Sequence, residues 1–318
     1  MDYKDSEPTH GTNPYCSASP ATDGKNVVVS YGSAGVACYD FEGNLQWHRD
    51  LGKCIHIWGN AASPVLYENL VFLNFGPGER TFLIALDKKT GEDVWKMDEP
   101  GGKTGFAGSS EWIGSWSTPI ITKVSGRDEL VMSWPGGVKA YTPKTGEILW
   151  SCIGSEYDKS LGRFVYTSPL ASEQAIVAMS GYGGPYIAIK PGGSGDVTKT
   201  HRLWRVPSGP QRIGSGVIIG DHIFMVNEQG TAQCIELKTG KTLWTQRVTT
   251  PTWGSLVHAG DRLYITSMEG ETVIMAAKPK LEVIAQNHLK ERTLASIAVS
   301  EGEIFIRTYK NLWCIGKK

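Results

Sequence analysis

Two groups of residues in this chain have types and spacings that could do chemistry. The first is a set of glycine-bearing phrases and metal-capable side chains. Gly101-Gly102-Lys103-Thr104 has the tail of a phosphate-binding loop, but Met97 stands where the first glycine of such a loop belongs, and no strand leads into it as required. Gly192-Gly193-Ser194-Gly195-Asp196 lacks the strand-to-helix setting of a nucleophile elbow and reads as a flexible hairpin insertion. The seven histidines (10, 48, 56, 201, 222, 258, 288) lie in different parts of the chain without metal-ligand spacing, so each reads as a surface or turn residue. The six cysteines (16, 38, 54, 152, 234, 314) could form a disulfide set in an exported protein, yet they include no C-x-x-C pair and no adjacent pair. Cys38, Cys234 and Cys314 recur at one place in three repeats, where a small apolar side chain would face a packed sheet. No catalytic residue and no metal site is expected from this group.

The second group is aromatic and cationic. Trp58, Trp116, Trp134, Arg163, Tyr182, Arg212 and Trp253 stand in loops between strand-like runs. Indole rings offer rigid stacking faces, and guanidinium groups add charge and planar hydrogen bonding, so together they suit ligand or partner recognition. The competing reading is that these rings pack on one another and simply plug a funnel.

The elements that must position these loops are visible as a repeat. Trp47, Trp95, Trp150, Trp204 and Trp244 each close a related phrase, most clearly in residues 85–95 and 234–244. Each unit opens with a small-residue step: Ser19, Ser63, Thr118, Ser168, Ser215, Ser255 and Ser296, about 40 to 55 residues apart. A short apolar strand, a turn such as Thr22-Asp23-Gly24, a β-rich run, a glycine-bearing loop, a third strand, a Lys-Thr-Gly type turn and a fourth strand follow. Four short antiparallel strands in seven copies predict an all-β fold, a β-propeller of seven recognisable four-stranded blades. The recurring tryptophans are expected to fill the gaps between blades. Copy six places Ile284 where tryptophan would stand, and copy seven stops after its third strand. Residues 1–14 read as an irregular N-terminal segment and residues 15–318 as one propeller domain. In a propeller, the loops entering each first strand and those joining strands two and three share one face, which places the aromatic group around the central channel.

Bulk properties narrow the function classes. Lysine plus arginine equals aspartate plus glutamate, at 32 each, which argues against a nucleic-acid surface. No stretch approaches the length of a membrane-spanning helix, and the first residues carry no signal-peptide core.

The phrase Ala85-Leu86-Asp87-Lys88-Lys89-Thr90-Gly91-Glu92-Asp93-Val94-Trp95 resembles the tryptophan-docking repeat of pyrroloquinoline-quinone enzymes, and the whole chain resembles the wider pyrroloquinoline-quinone-like repeat propellers. That group includes a lipoprotein of the outer-membrane β-barrel assembly machinery and many exported proteins. The resemblance implies a non-catalytic binding scaffold with an envelope protein partner. It also implies export to the periplasm, with the signal and an eighth blade lying upstream of Met1; otherwise the protein is cytoplasmic. A quinone-dependent dehydrogenase is the enzymatic alternative, and a small molecule or glycan in the central funnel is a third. The quinone enzymes carry an adjacent-cysteine disulfide and a calcium site, neither of which has a counterpart here, so no cofactor is expected.

Overall fold

The computed structural model describes residues 9–78, 80–99, 113–155, 164–210 and 212–316. Runs rich in β-branched and aromatic residues, such as Asn26–Ser30 and His222–Val226, form strands bounded by glycine turns. They assemble into seven antiparallel sheets in which sequence neighbours pair. The fifth is typical: Val217–Ile219, His222–Val226, Thr231–Glu236 and Thr242–Arg247. The first runs from Ala21–Thr22 to Leu45–Arg49. Among the described residues the seventh has three strands, Ala298–Ser300, Glu303–Arg307 and Leu312–Ile315. The architecture is a seven-bladed β-propeller. Hydrophobic clusters lie between successive blades, for example Phe224 and Val226 of blade five with Leu263 and Ile265 of blade six.

The repeated openings link the blades on the inside. The backbone amide of Ser19 donates to the Ser63 hydroxyl at 2.9 Å, and Ser63 to Thr118 at 3.0 Å. The series continues from Thr118 to Ser168, Ser215, Ser255 and Ser296 at 2.8 to 3.2 Å. A Ser or Thr recurs because its side chain must accept one bond from the preceding blade. Among the described residues these six links run from blade one to blade seven, and none joins Ser296 to Ser19.

The tryptophans link the blades on the outside. Trp47 Nε1 donates to the Lys88 carbonyl of the next blade, Trp95 to Pro143, Trp204 to Leu237 and Trp244 to Pro279. Each of these acceptors lies in a turn between third and fourth strands. The Thr-Gly step of that turn serves two needs. Gly91, Gly146 and Gly240 adopt φ near +75°, and a Cβ on them would stand 2.6 to 2.9 Å from the ring of Trp47, Trp95 or Trp204. Within its own sheet each tryptophan faces a small third-strand residue: Cys38, Ala85, Ala140, Ala188 or Cys234. That pairing accounts for the recurring cysteines. Cys38 and Cys234 are buried under their indoles, while Cys314, with no fourth strand beside it among the described residues, is exposed; none of the six forms a disulfide.

Two expectations change. In blade six the residue in register with the tryptophans is Ala285, opposite Ile274, and not Ile284, which points to solvent. One extra residue in the preceding turn shifts the phase, and the sizes are exchanged across the pair. The Gly192–Asp196 phrase is not a hairpin. Gly195–Asp196 pairs in parallel with the outer strand Ile148–Ser155 of blade three, and the one-turn helix Thr198–His201 follows. Trp150 therefore meets Val197 instead of a Thr-Gly turn, and its Nε1 donates to the buried carboxylate of Glu129 at 2.8 Å.

Candidate functional site

The loop segments on one face are anchored before their rings are placed. Gly114–Ser115 and Phe164–Val165 pair in parallel, and the Trp116 amide donates to the Val165 carbonyl at 2.8 Å. This small ladder sets Trp116 beside Tyr166, with ring centroids 5.4 Å apart. Buried Asn74 fixes the ladder from below, donating to the carbonyls of Ser115 and Ser117 at 3.0 Å. Gly181 lies flat under Tyr166, where a Cβ would come within 2.2 Å of the ring. Tyr182 follows it at φ +49°, an unusual conformation for a residue with a side chain, and its ring reaches over the cluster.

Six rings meet here: His56, Trp58, Trp116, Phe164, Tyr166 and Tyr182. Trp58 is the hub, 5.5 Å from His56, 4.9 Å from Phe164 and stacked at 5.8 Å on Tyr182. Trp116 Nε1 donates to the Gly59 carbonyl at 2.9 Å, which holds the Trp58 loop down. His56 is buried, accepts at Nδ1 from the Trp58 amide, and has its pKa lowered by that burial to about 4. Burial pushes the Tyr166 phenol well above its ordinary range, with Tyr182 and Glu228 adding to the effect. Tyr182 is 47 % exposed and is the outermost ring.

The cluster forms one wall of a central cavity of about 910 Å³. Across it stands Trp253, positioned by Thr252, whose hydroxyl donates to the Thr266 carbonyl at 2.7 Å. His10 stacks on Trp253 at 6.3 Å, and the N-terminal residues from His10 to Asn13 lie along the same cavity. The opening hydroxyls of all seven blades line its depth. Arg307 is the permanent charge among the described lining residues.

Of the residues expected in the funnel, Trp58, Trp116, Tyr182 and Trp253 line this cavity together. Trp134 does not. It ends the strand Arg127–Trp134, is 5 % exposed, packs toward blade two, and donates from Nε1 to Tyr141 at 2.8 Å. Arg212 is also withdrawn, at 2 % exposed, with its guanidinium over the Tyr186 ring and hydrogen-bonded to Pro210 and Gln233. Arg163 lies outside the described residues. Phe164, Tyr166 and His56 belong to the site although the sequence did not single them out; the loops that carry them come from separate blades, and only the ladder aligns them.

Chemically, the arrangement offers stacking faces and hydroxyl groups. No group of three or more His, Cys, Asp or Glu side chains converges to hold a metal among the described residues. A tricarboxylated quinone with calcium would require several cations and acidic oxygens; the described lining supplies Arg307 and no carboxylate, so the set does not fit that group. Among the described residues no helix is long and apolar enough to cross a membrane.

Comparison with known proteins agrees with the architecture. The chain is 22 % identical over 264 residues to the outer membrane protein assembly factor BamB of Shewanella oneidensis, an alignment that covers 79 % of this chain. The chain spans 59 % of that relative's length. The crystal structure of BamB from Moraxella catarrhalis superposes with a TM-score of 0.68 at 16 % identity, over 90 % of this chain and 79 % of that one, which is a likeness of fold. A family model described as outer membrane protein assembly factor BamB matches residues 5–246, and so this propeller belongs to that pyrroloquinoline-quinone-like repeat family.

Proposed function

We propose that the chain is a non-catalytic scaffold of the bacterial envelope that holds a partner protein on its funnel face. The observation that carries this reading is the ring cluster built on Trp58, anchored beneath by backbone bonds and left open at Tyr182. Rigid aromatic surface at the rim of a concavity is what protein interfaces use for their central contacts. Membership of an assembly-factor family supports an envelope setting and a periplasmic or outer-membrane-associated location.

The test places a photo-crosslinker at Tyr182 or, on the opposite face, at Lys144, and exposes the protein to envelope extract. One defined adduct from Tyr182, absent from Lys144 and reduced by Trp253→Ala, is the expected result. Equal adducts from both faces would refute the assignment. Tyr182→Ala and Trp253→Ala should leave the unfolding midpoint nearly unchanged, because both rings sit at the edge of the packing.

A second reading rests on the hydroxyl lining under the rings, which suits a neutral hydroxylated ligand such as a glycan. Thermal shifts with a saccharide series would reveal it. The same lining argues against quinone-dependent dehydrogenation, and dye reduction by simple alcohols in the presence of quinone and calcium would reverse that judgement.

A further inference from the structure

On the funnel face one blade interrupts a run of rings. The residue two places before the opening hydroxyl is Trp116 in blade three, Tyr166 in blade four, Ile213 in blade five and Trp253 in blade six, and all four line the cavity. The turns between second and third strands run beside them. Their closing pairs are Met179 with Tyr186 in blade four, Val226 with Ala232 in blade five and Thr266 with Thr272 in blade six. Gly181, Glu228 and Met268 therefore occupy one equivalent place, from which Gly181 lies flat against the Tyr166 ring. Glu228 stands where blade five offers no ring, with Tyr166 and Tyr182 of blade four on one side and Trp253 of blade six on the other. Two observations agree with that placement. The Thr252 amide donates to the Glu228 carbonyl at 2.9 Å, which ties the turn to the residue preceding Trp253. On the other side, the Glu228 charge reaches the Tyr166 phenol and helps to raise it.

The carboxylate itself is unspent. Glu228 is half-buried, and that burial raises its pKa. Among the described residues its side chain has no hydrogen bond and no ion pair. By contrast, Glu271 and Glu291 of the next two blades are each held by a threonine hydroxyl at 2.6 Å. A desolvated carboxylate without a donor is costly, and aromatic faces carry negative potential, so this part of the rim suits a cation. The chain's own guanidinium groups already lie on tyrosine rings elsewhere, Arg212 on Tyr186 and Arg292 on Tyr309. A guanidinium lies flat on a ring and still donates in its plane to a carboxylate, a pair of contacts that a compact ammonium cannot match. We propose that an arginine side chain of the partner protein is the group recognised here. It lies on the Tyr182 ring and donates to Glu228, flanked on the far side by Trp253 and the His10 ring stacked on it. Such an arginine presupposes a partner on the funnel face, as inferred above, and supplies the chemistry of its contact.

The probes are N-acetylarginine amide and its uncharged isostere N-acetylcitrulline amide, titrated into the whole chain labelled with 5-fluorotryptophan. Fluorine NMR follows the signals of Trp58 and Trp253, assigned through Trp58→Phe and Trp253→Phe. The arginine probe should shift both signals and bind about tenfold or more tighter than the citrulline probe. Glu228→Gln should erase that preference without lowering the unfolding midpoint, because the carboxylate makes no bond within the described fold. Equal binding of the two probes, binding of neither, or an unchanged preference in Glu228→Gln would each overturn the proposal. So would an arginine preference that appears only in Arg163→Gln, which would put the chain's own guanidinium on this rim. The crosslink at Tyr182 judges the funnel face separately. A defined adduct there, beside probes that bind alike, would sink the arginine and leave the scaffold standing. Equal adducts from both faces, beside a retained arginine preference, would remove the partner and leave a site for a free guanidinium compound.

Discussion

Acid should loosen the aromatic cluster through a single proton. His56 is 1 % exposed, with its ring 5.0 Å from Trp116 and 5.5 Å from Trp58. Its Nδ1 accepts from the Trp58 amide at 3.1 Å, so the neutral ring carries its proton on Nε2, which has no polar partner. Protonation would put a charge among aromatic rings and remove that acceptor. Burial accordingly lowers the pKa from its ordinary value of 6.5 to about 4. Because the folded value lies below the unfolded one, the unfolded chain takes up the proton first. Stability is therefore fully present above the unfolded value and is lost as pH falls from 6.5 toward about 4. Linkage gives a loss of about 2 kcal/mol between about pH 7.5 and about pH 5, approaching about 3 kcal/mol in stronger acid. Urea unfolding at the two pH values, for the native sequence and for His56→Asn, isolates this one group from the carboxylates common to both. The native protein should lose about 2 kcal/mol more than the variant. Parallel pH dependence in the two proteins would show that His56 is hydrated or charged in the fold, and the packing argument would fail.

Two further outcomes follow from the interlock and the thiols. Trp95→Ala should cost about 3 kcal/mol in equilibrium unfolding. Gly146→Val should be comparably damaging, since its Cβ would stand 2.6 Å from the Trp95 ring at φ +73°; a silent Gly146→Val would refute the docking role of the turn. Maleimide followed by mass spectrometry should mark Cys16 and Cys314 in the native state, and Cys38, Cys54, Cys152 and Cys234 only in denaturant. Burial pushes the Cys234 thiol up to about 11, which adds to its protection.

What the sequence revealed follows from which constraints are local. A Thr-Gly turn and a tryptophan four residues later are set by one blade and its neighbour, so the fold and the seven openings could be read directly. The roles of Ser63 or Ser168 as acceptors were not legible, because the donor lies about 40 to 55 residues away. Trp134 misled because it borders Pro135-Gly136; strand alternation turns it inward, whereas proximity to the turn suggested a loop. Arg212 misled because nothing local shows that Tyr186 and Gln233 will enclose its guanidinium. The ring cluster was half visible: Trp58, Trp116 and Tyr182 stood out as exposed aromatics, while Tyr166 joined them only through a parallel ladder between two loops. In blade six, one added turn residue moved the register by one position, which a pattern of types alone does not reveal.

A complete girdle of hydroxyl links would leave every blade gripped from both sides. Among the described residues six links are made, so blades two to six are each gripped from both sides. Releasing such a blade breaks a pair of links, whereas unhooking one opening residue breaks a single link, so a whole blade opens more rarely than one of its loops. In mechanical terms the girdle is a chain of hooks, in which each blade's opening residue is at once the catch for one neighbour and the pull on the next.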